Sequence, residues 1–287
     1  MTQISVPAKS CGISIGSYTT LKNDTIEQSG DGTCVLGLNS RNILIENMVF
    51  KSTGLGAFNT AIDLRGADGV EIKNCTFVGW GASAIRAGRF SGCDNTGRLF
   101  DNLGNGISST RHLIVHGCTF IDCRGPVIGF KPGGAQYVEI RRNNFNKFGT
   151  YAISCEGEQG WTSNVAITDN IIDGGESTSW SHGIYIGEYA FDIKVLRNYV
   201  KYRGIRGAAI TVSTSPSQGD TPVSDISICD NEIPGSGIAL MPGNTNIHDV
   251  TILRNISDFV RTTYPDVTKT KGKVIRLITD RLSSGGK

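Results

Sequence analysis

An eight-residue pattern recurs along the chain: apolar, any, apolar, any, any, small or polar, any, apolar. It fits TTLKNDTI at 19–26, ILIENMVF at 43–50, VEIKNCTF at 70–77, LIVHGCTF at 113–120 and VEIRRNNF at 138–145. VAITDNII at 165–172, IKVLRNYV at 193–200, ISICDNEI at 226–233 and VTILRNIS at 250–257 follow. Only Thr19 and Ser257 depart from its apolar slots. The sixth slot reads Asp24, Met48, Cys75, Cys118, Asn143, Asn170, Asn198, Asn231, Asn255. Asparagines stacked at one position suit a ladder in which each amide bonds its neighbour one rung away. The shortest step between copies is 24 residues, and the strands are too short for a βα unit. The repeat therefore predicts successive turns of a parallel β-solenoid.

Between the copies lies a second strand of period two. It reads GISI (12–15), VLGL (35–38), AIDLR (61–65), AIRAG (84–88) and VIGFK (127–131). It continues as AISCE (152–156), GIYIG (183–187), AITVS (209–213), GIALM (237–241) and VIRLI (274–278). The expectation is an all-β chain forming one domain over residues 1–287, of about nine to ten coils and roughly 45 Å long. Residues 1–11 would form an N-terminal cap, 12–257 the repeat coils, and 258–287 a C-terminal coil and cap over the open strand edges.

Composition sharpens this picture. Glycine is frequent, with 37 among 287 residues, as many turns between short strands require. Charged residues make up 19% and the net charge is +2, which gives no basis for general affinity to nucleic acid or anionic membrane. No apolar run is long enough to cross a bilayer. The start, Met1-Thr2-Gln3-Ile4-Ser5, shows no basic and apolar secretory signal. The eight cysteines lack paired C-x-x-C spacing and read as small buried hydrophobes, not zinc ligands.

The pattern, the asparagine column and the G-I-x-I strand resemble the parallel β-helix repeat of the pectin-lyase-like, right-handed β-helix superfamily. The resemblance spans about residues 12–278. It implies a fold shared by polysaccharide lyases, glycoside hydrolases, sugar epimerases, phage tail-spike depolymerases and non-catalytic adhesins, among which fold does not choose. It also implies that substrate lies across the sheet built from the G-I-x-I strands. Signatures of particular activities are missing: no N-T-D, adjacent D-D, G-H-G or R-I-K set, no W-I-D-H or R-x-P-x-x-R, no D-P-H-E and no N-G-A/S-E run. Ser181-His182-Gly183 is a partial echo of one element.

Strand alternation names the side chains that face such a groove. One row reads Ser14, Gly37, Asp63, Arg86, Gly129, Ser154, Tyr185, Thr211, Ala239, Arg276; a second runs through Arg65, Gly88, Lys131, Glu156, Gly187, Ser213, Met241 and Ile278. Chemistry concentrates between residues 63 and 188, in Asp63, Arg65, Arg86, Lys131, Glu156 and Tyr185, with Arg89, Glu158 and Glu188 just beyond. Trp80, Trp161 and Trp180 border the same strands, where flat aromatic faces suit pyranose rings. The insertion 93–112 would wall the groove.

Two mechanisms use this set. In a hydrolase, Glu156 and Glu188 on neighbouring coils would be the acid and the base or nucleophile. In a lyase, Arg86 and Lys131 would neutralise a uronate while Lys131, His182 or Tyr185 moves the C5 proton. The remaining candidates, Asp63, Arg65, Arg86, Arg89, Glu158, Trp80, Trp161 and Trp180, would bind substrate. Each has a plainer alternative: Lys131–Glu156 as an exposed cross-strand ion pair, Asp63–Arg65 as local surface charge, His182 as a loop residue, the tryptophans as core caps.

The expectation is a carbohydrate-active protein that binds and cleaves a polysaccharide. The alternative is a non-catalytic adhesin, receptor-binding or structural module. No nucleotide, flavin or pyridoxal motif is present; the resemblance admits Ca²⁺ held by Asp63, Glu156 or Glu158. It also admits a homotrimer, and an extracellular or virion-associated site of action.

Overall fold

The computed structural model describes residues 3–6, 10–54, 59–88, 109–131, 133–157, 161–174, 181–202, 204, 207–214, 222–242, 247–262, 276–278 and 281–282. Within them there are strands and turns but no helix, and every strand pairing is parallel.

All nine copies of the eight-residue pattern stack in register. Thr20 faces Leu44, Ile43 faces Val70, Val70 faces Leu113, and Leu113 faces Val138. Val138 faces Val165, followed by Ile193, Ile226 and Val250. The first half of each copy belongs to a ten-stranded sheet. The second half does not continue it. The fifth slot holds a left-handed residue in coil after coil: Asn47, Asn74, Gly117, Arg142, Asp169, Arg197, Asp230 and Arg254, all with φ between 53° and 64°. This turns the chain into a separate third sheet, with strands such as Thr76–Val78, Thr119–Cys123 and Asn144–Phe148. The pattern is thus two strands joined by a corner. The G-I-x-I strands make the sheet on which the groove is expected, called the groove sheet below; it joins the third sheet where Glu232–Pro242 runs through both.

Two columns explain the register. From Asn143 to Asn255, each amide Nδ2 donates to Oδ1 of the next asparagine at 2.9–3.0 Å. The backbone N–H of each rung donates to the same Oδ1. Nδ2 also reaches a carbonyl of the preceding coil, such as Ile167 from Asn198. Every amide is therefore buried yet satisfied. At the other end the column continues through sulfur, with Cys75 N donating to Cys118 Sγ at 3.4 Å. The second column is Phe50, Phe77, Phe120 and Phe145, whose stacked centroids lie 5.0, 4.9 and 4.7 Å apart. That spacing is the rung spacing itself, so a one-residue slip would move every ring out of the core.

Two expected registers differ. Leu36, not Gly37, stands opposite Asp63, and a Cβ on Gly37 would lie 3.0–3.1 Å from Leu64 and Ile43 side chains in the core. The VIRLI strand does not join the groove sheet. Arg276 faces Thr251, and Arg281 and Leu282 face Ile256 and Ser257. Residues 275–282 (IRLITDRL) are a tenth copy of the pattern, while Arg261 takes the groove-sheet place beside Ala239.

Candidate functional site

The groove-sheet row is observed as a continuous ladder: Asp63, Arg86, Gly129, Ser154, Tyr185, Thr211, Ala239. It separates the expected residues into two groups. Asp63 lies three rungs from Ser154, about 14 Å, and forms a closed pair with Arg65. Arg65 Nη2 is 2.7 Å from Asp63 Oδ2, and Nε lies 2.9 Å from Oδ1. Both residues are buried, at 3% and 7% exposure. This corrects the surface-charge alternative: two buried ions persist because each satisfies the other.

The second group brings together Lys131, Glu156, His182, Tyr185 and Glu188. Lys131 Nζ is 3.0 Å from Glu156 Oε1, and Ser154 Oγ donates to Glu156 Oε2 at 2.6 Å. Glu156 is only 7% exposed at its side chain, against 41% for Lys131, so this is not the fully exposed pair of the plainer alternative. Both Glu156 oxygens are held, which fixes the carboxyl group in direction. On the adjoining rung, Gly157 N donates to the Glu188 carbonyl at 2.8 Å; Glu188 is buried at 3%.

Aromatic rings line one side. Tyr151 stacks on His182 at 5.7 Å and on Tyr185 at 5.0 Å, and His182 and Tyr185 lie 5.5 Å apart. His182 is not a loop residue: it begins the strand His182–Ile186 and is 4% exposed. Ala208 N–H donates to its Nδ1 at 3.2 Å, and Thr211 Oγ1 lies 2.7 Å from the same atom. A backbone donor at Nδ1 assigns the proton of the neutral ring to Nε2. Burial, then the charge of Glu156, pushes the Tyr185 phenol well above its ordinary value; Tyr151 and Glu188 add to this and a Ser213 hydrogen bond opposes it. Tyr151 is pushed up by burial and then by Glu156, with Lys131 opposing. Both phenols therefore keep their protons near neutrality and act as donors.

The floor is shaped by missing side chains. Gly129 leaves a gap in the row between Arg86 and Ser154. At Gly187 a Cβ would sit 2.6 Å from Tyr185 Cε1 and 3.0 Å from Glu156 Cγ, so only glycine lets the phenol lie against the glutamate. Arg86 reaches towards the same patch, its Nε 3.5 Å from the Lys131 carbonyl.

The two described tryptophans do not form a stacking wall. Trp80 is fully buried, with Nε1 donating to the Phe50 carbonyl at 3.2 Å; it is a core residue, a correction to its expected binding role. Trp161 is 46% exposed and packs edge-on against Tyr189 and Phe191, each at 5.3 Å. Arg89, Glu158, Trp180 and most of the 93–112 insertion lie outside the described residues. No group of three His, Cys, Asp or Glu fit for a metal occurs among the described residues. Asp63 and Glu156 are each committed to a cation, which does not fit a calcium site.

Sequence reasoning placed Ser154 and Thr211 in the outward row without giving them a role, and missed Tyr151. Tyr151 precedes AISCE as His182 stands at the head of GIYI, and their strands pair residue for residue, so that column carried the signal.

Residues 60–221 match the family model described as right handed beta helix region. No curated protein matches the sequence. Among solved structures, the chain is similar to a tailspike protein mutant of E. coli bacteriophage HK620 in complex with a pentasaccharide. The TM-score is 0.51 at 12% identity, covering 92% of this chain and 57% of that one. It is also similar to a hyperthermoactive exopolygalacturonase from Thermotoga maritima, with a TM-score of 0.51 at 10% identity, covering 91% and 82%. The chain thus spans a little over half of the tailspike. At these identities the likeness is one of fold.

Proposed function

Since the chain belongs to the right-handed β-helix family, we propose that it binds a polysaccharide across the groove sheet and cleaves it by hydrolysis, with Glu156 and Glu188 as the carboxyl pair. The observation that carries this reading is the fixing of Glu156 by Lys131 at 3.0 Å and Ser154 at 2.6 Å, one rung from buried Glu188 and under the rings of Tyr151 and Tyr185. Glu156, fixed in direction by its two partners, is the nucleophile or base; Glu188 delivers the proton to the leaving oxygen. Tyr151 and Tyr185 donate hydrogen bonds to the sugar and exclude water from the pair. Arg86 and Lys131 contribute positive charge, which suits a chain carrying carboxylates.

A β-elimination reading is weaker on the same geometry. Lys131 is ion-paired and therefore protonated, Tyr185 holds its proton more tightly than a free phenol, and His182 Nδ1 already accepts from Ala208. None of the three stands ready as a base. A non-catalytic saccharide-binding module is the second reading, favoured by the closure of the Asp63–Arg65 and Lys131–Glu156 pairs upon themselves.

The similar structures support a saccharide ligand, since one is a pentasaccharide complex and the other an exopolygalacturonase by name. Under this reading the protein works outside the cell or on a virion. The test is a time course on pectate, alginate, glycosaminoglycans and bacterial capsules, counting reducing ends and absorbance of unsaturated products together. Reducing ends without absorbance, abolished by Glu156→Gln and by Glu188→Gln, is the expected result. Absorbance rising with reducing ends overturns hydrolysis in favour of elimination, and binding without either signal favours the module.

A further inference from the structure

A depression of about 320 Å³ lies away from the groove, on the outer face of the ten-stranded sheet. This is within the size range of small-ligand sites. Its floor is Ala166 and Asn164, the short members of two outward rows. Glu139 and Lys194 stand one rung to either side of Ala166, and Tyr137 and Asp192 one rung to either side of Asn164. The notch is therefore two rungs wide, about 10 Å. Its aromatic wall is the ring of Tyr137, 51% exposed and stacked on His112 at 5.1 Å with 8° between planes.

The backbone makes this wall unusual. One position in each coil, at the entry to the ten-stranded sheet, takes a left-handed conformation: Tyr18, Asn42, Gly69, His112, Tyr137, Asn164, Asp192, Asp225 and Asp249. Asn, Asp and Gly adopt that conformation readily, whereas a bulky ring does not. The exceptions are Tyr18 in the first coil and the neighbours His112 and Tyr137, and these two neighbours form a stacked pair. Only at His112 and Tyr137 do two neighbouring rungs bear this local conformational cost together, and the result is a flat exposed ring beside a notch.

The rim selects the ligand class. His112 lies 2.7 Å from Asp68, Glu139 3.2 Å from Arg141, and Asp192 3.7 Å from Lys194. The two carboxylates of the rim, Glu139 and Asp192, each stand beside a cation, which leaves little field to attract an ion. What remains is a flat apolar face ringed by hydrogen-bonding groups, the complement of a neutral, hydroxyl-rich ring.

We propose that this notch is a second saccharide site, separate from the groove, which takes one neutral pyranose unit against Tyr137. It does not depend on the hydrolytic reading of the groove. The test is ligand-observed saturation-transfer NMR, with dissociation constants from titration. The probes are maltotriose, cellotriose, chitotriose and trigalacturonate, against the full chain and against Tyr137→Asn and Ala166→Arg. Tyr137→Asn installs a residue the backbone prefers, so it folds; Ala166→Arg fills the notch from an outward position. The expected result is binding of at least one neutral trisaccharide, weakened tenfold or more by each substitution, with cleavage in the groove unchanged. The proposal is overturned if no neutral trisaccharide binds, if binding survives both substitutions, or if only trigalacturonate depends on Tyr137.

Discussion

Lys131 and Glu156 stand in one outward row on adjoining coils, with Nζ 3.0 Å from Oε1, and the hydroxyl of Ser154 holds the other carboxylate oxygen at 2.6 Å. Glu156→Gln removes the charge and keeps the shape. Turnover should fall by about 10³-fold, while the urea unfolding midpoint stays within error, because the lysine partner is partly exposed. Parallel activity and unfolding measurements check this; equal losses in both would make the pair structural.

Gly187→Ala tests the contact between Tyr185 and Glu156 without touching either. The added Cβ meets the phenol at 2.6 Å, and a ring packed on Tyr151 and His182 has little freedom to retreat. Substrate affinity and turnover should both drop, by about tenfold or more, with far-ultraviolet circular dichroism unchanged.

The alkaline limb of stability should report the two tyrosines. A phenol whose folded pKa lies above its unfolded value keeps its proton in the folded chain while the unfolded chain loses it. Its contribution is complete below about pH 10 and is lost as pH rises from there through the folded value. Tyr185→Phe should flatten the fall of the urea midpoint between about pH 10 and 11.5 relative to the unaltered protein, and leave the midpoint at pH 7 nearly the same.

Asn198→Ala should be among the most damaging changes of a small residue. It deletes the bonds to Ile167, Leu196 and Asn231 and leaves the backbone N–H and amide of Asn170 without their acceptor. Each buried group so orphaned costs about 1–3 kcal/mol, giving a loss of roughly 3–5 kcal/mol in chemical denaturation. Asn198→Asp, which keeps an acceptor, should cost less at low pH than at neutral pH.

Phe77→Ala removes the middle of the four-ring stack and should cost about 3–5 kcal/mol. Phe77→Leu should recover most of that loss, since volume matters more there than ring chemistry.

The repeat was legible because a solenoid is one-dimensional. Each coil meets only its neighbours, so the spacing of apolar residues and the column of asparagines state the pairing directly. Val70, Leu113, Val138 and Val165 lie where the pattern puts them. The corner inside the pattern was not legible, since residues as unlike as Gly117, Arg142 and Asp169 all take the left-handed turn there. The tenth copy at 275–282 fits the pattern, yet its VIRLI segment also fits the groove strand, and only the pairing of Arg276 with Thr251 separates them. Among candidate residues, alternation named the outward row from Asp63 to Tyr185. It could not tell that Trp80 turns into the core or that Asp63 and Arg65 close on each other. Nor could it tell that Tyr151, His182 and Tyr185 gather into one stacked cluster. Periodicity determines which face of a strand a side chain takes. Burial, partners and the direction of a ring depend on contacts between coils and across corners, and those exist only once the chain is wound.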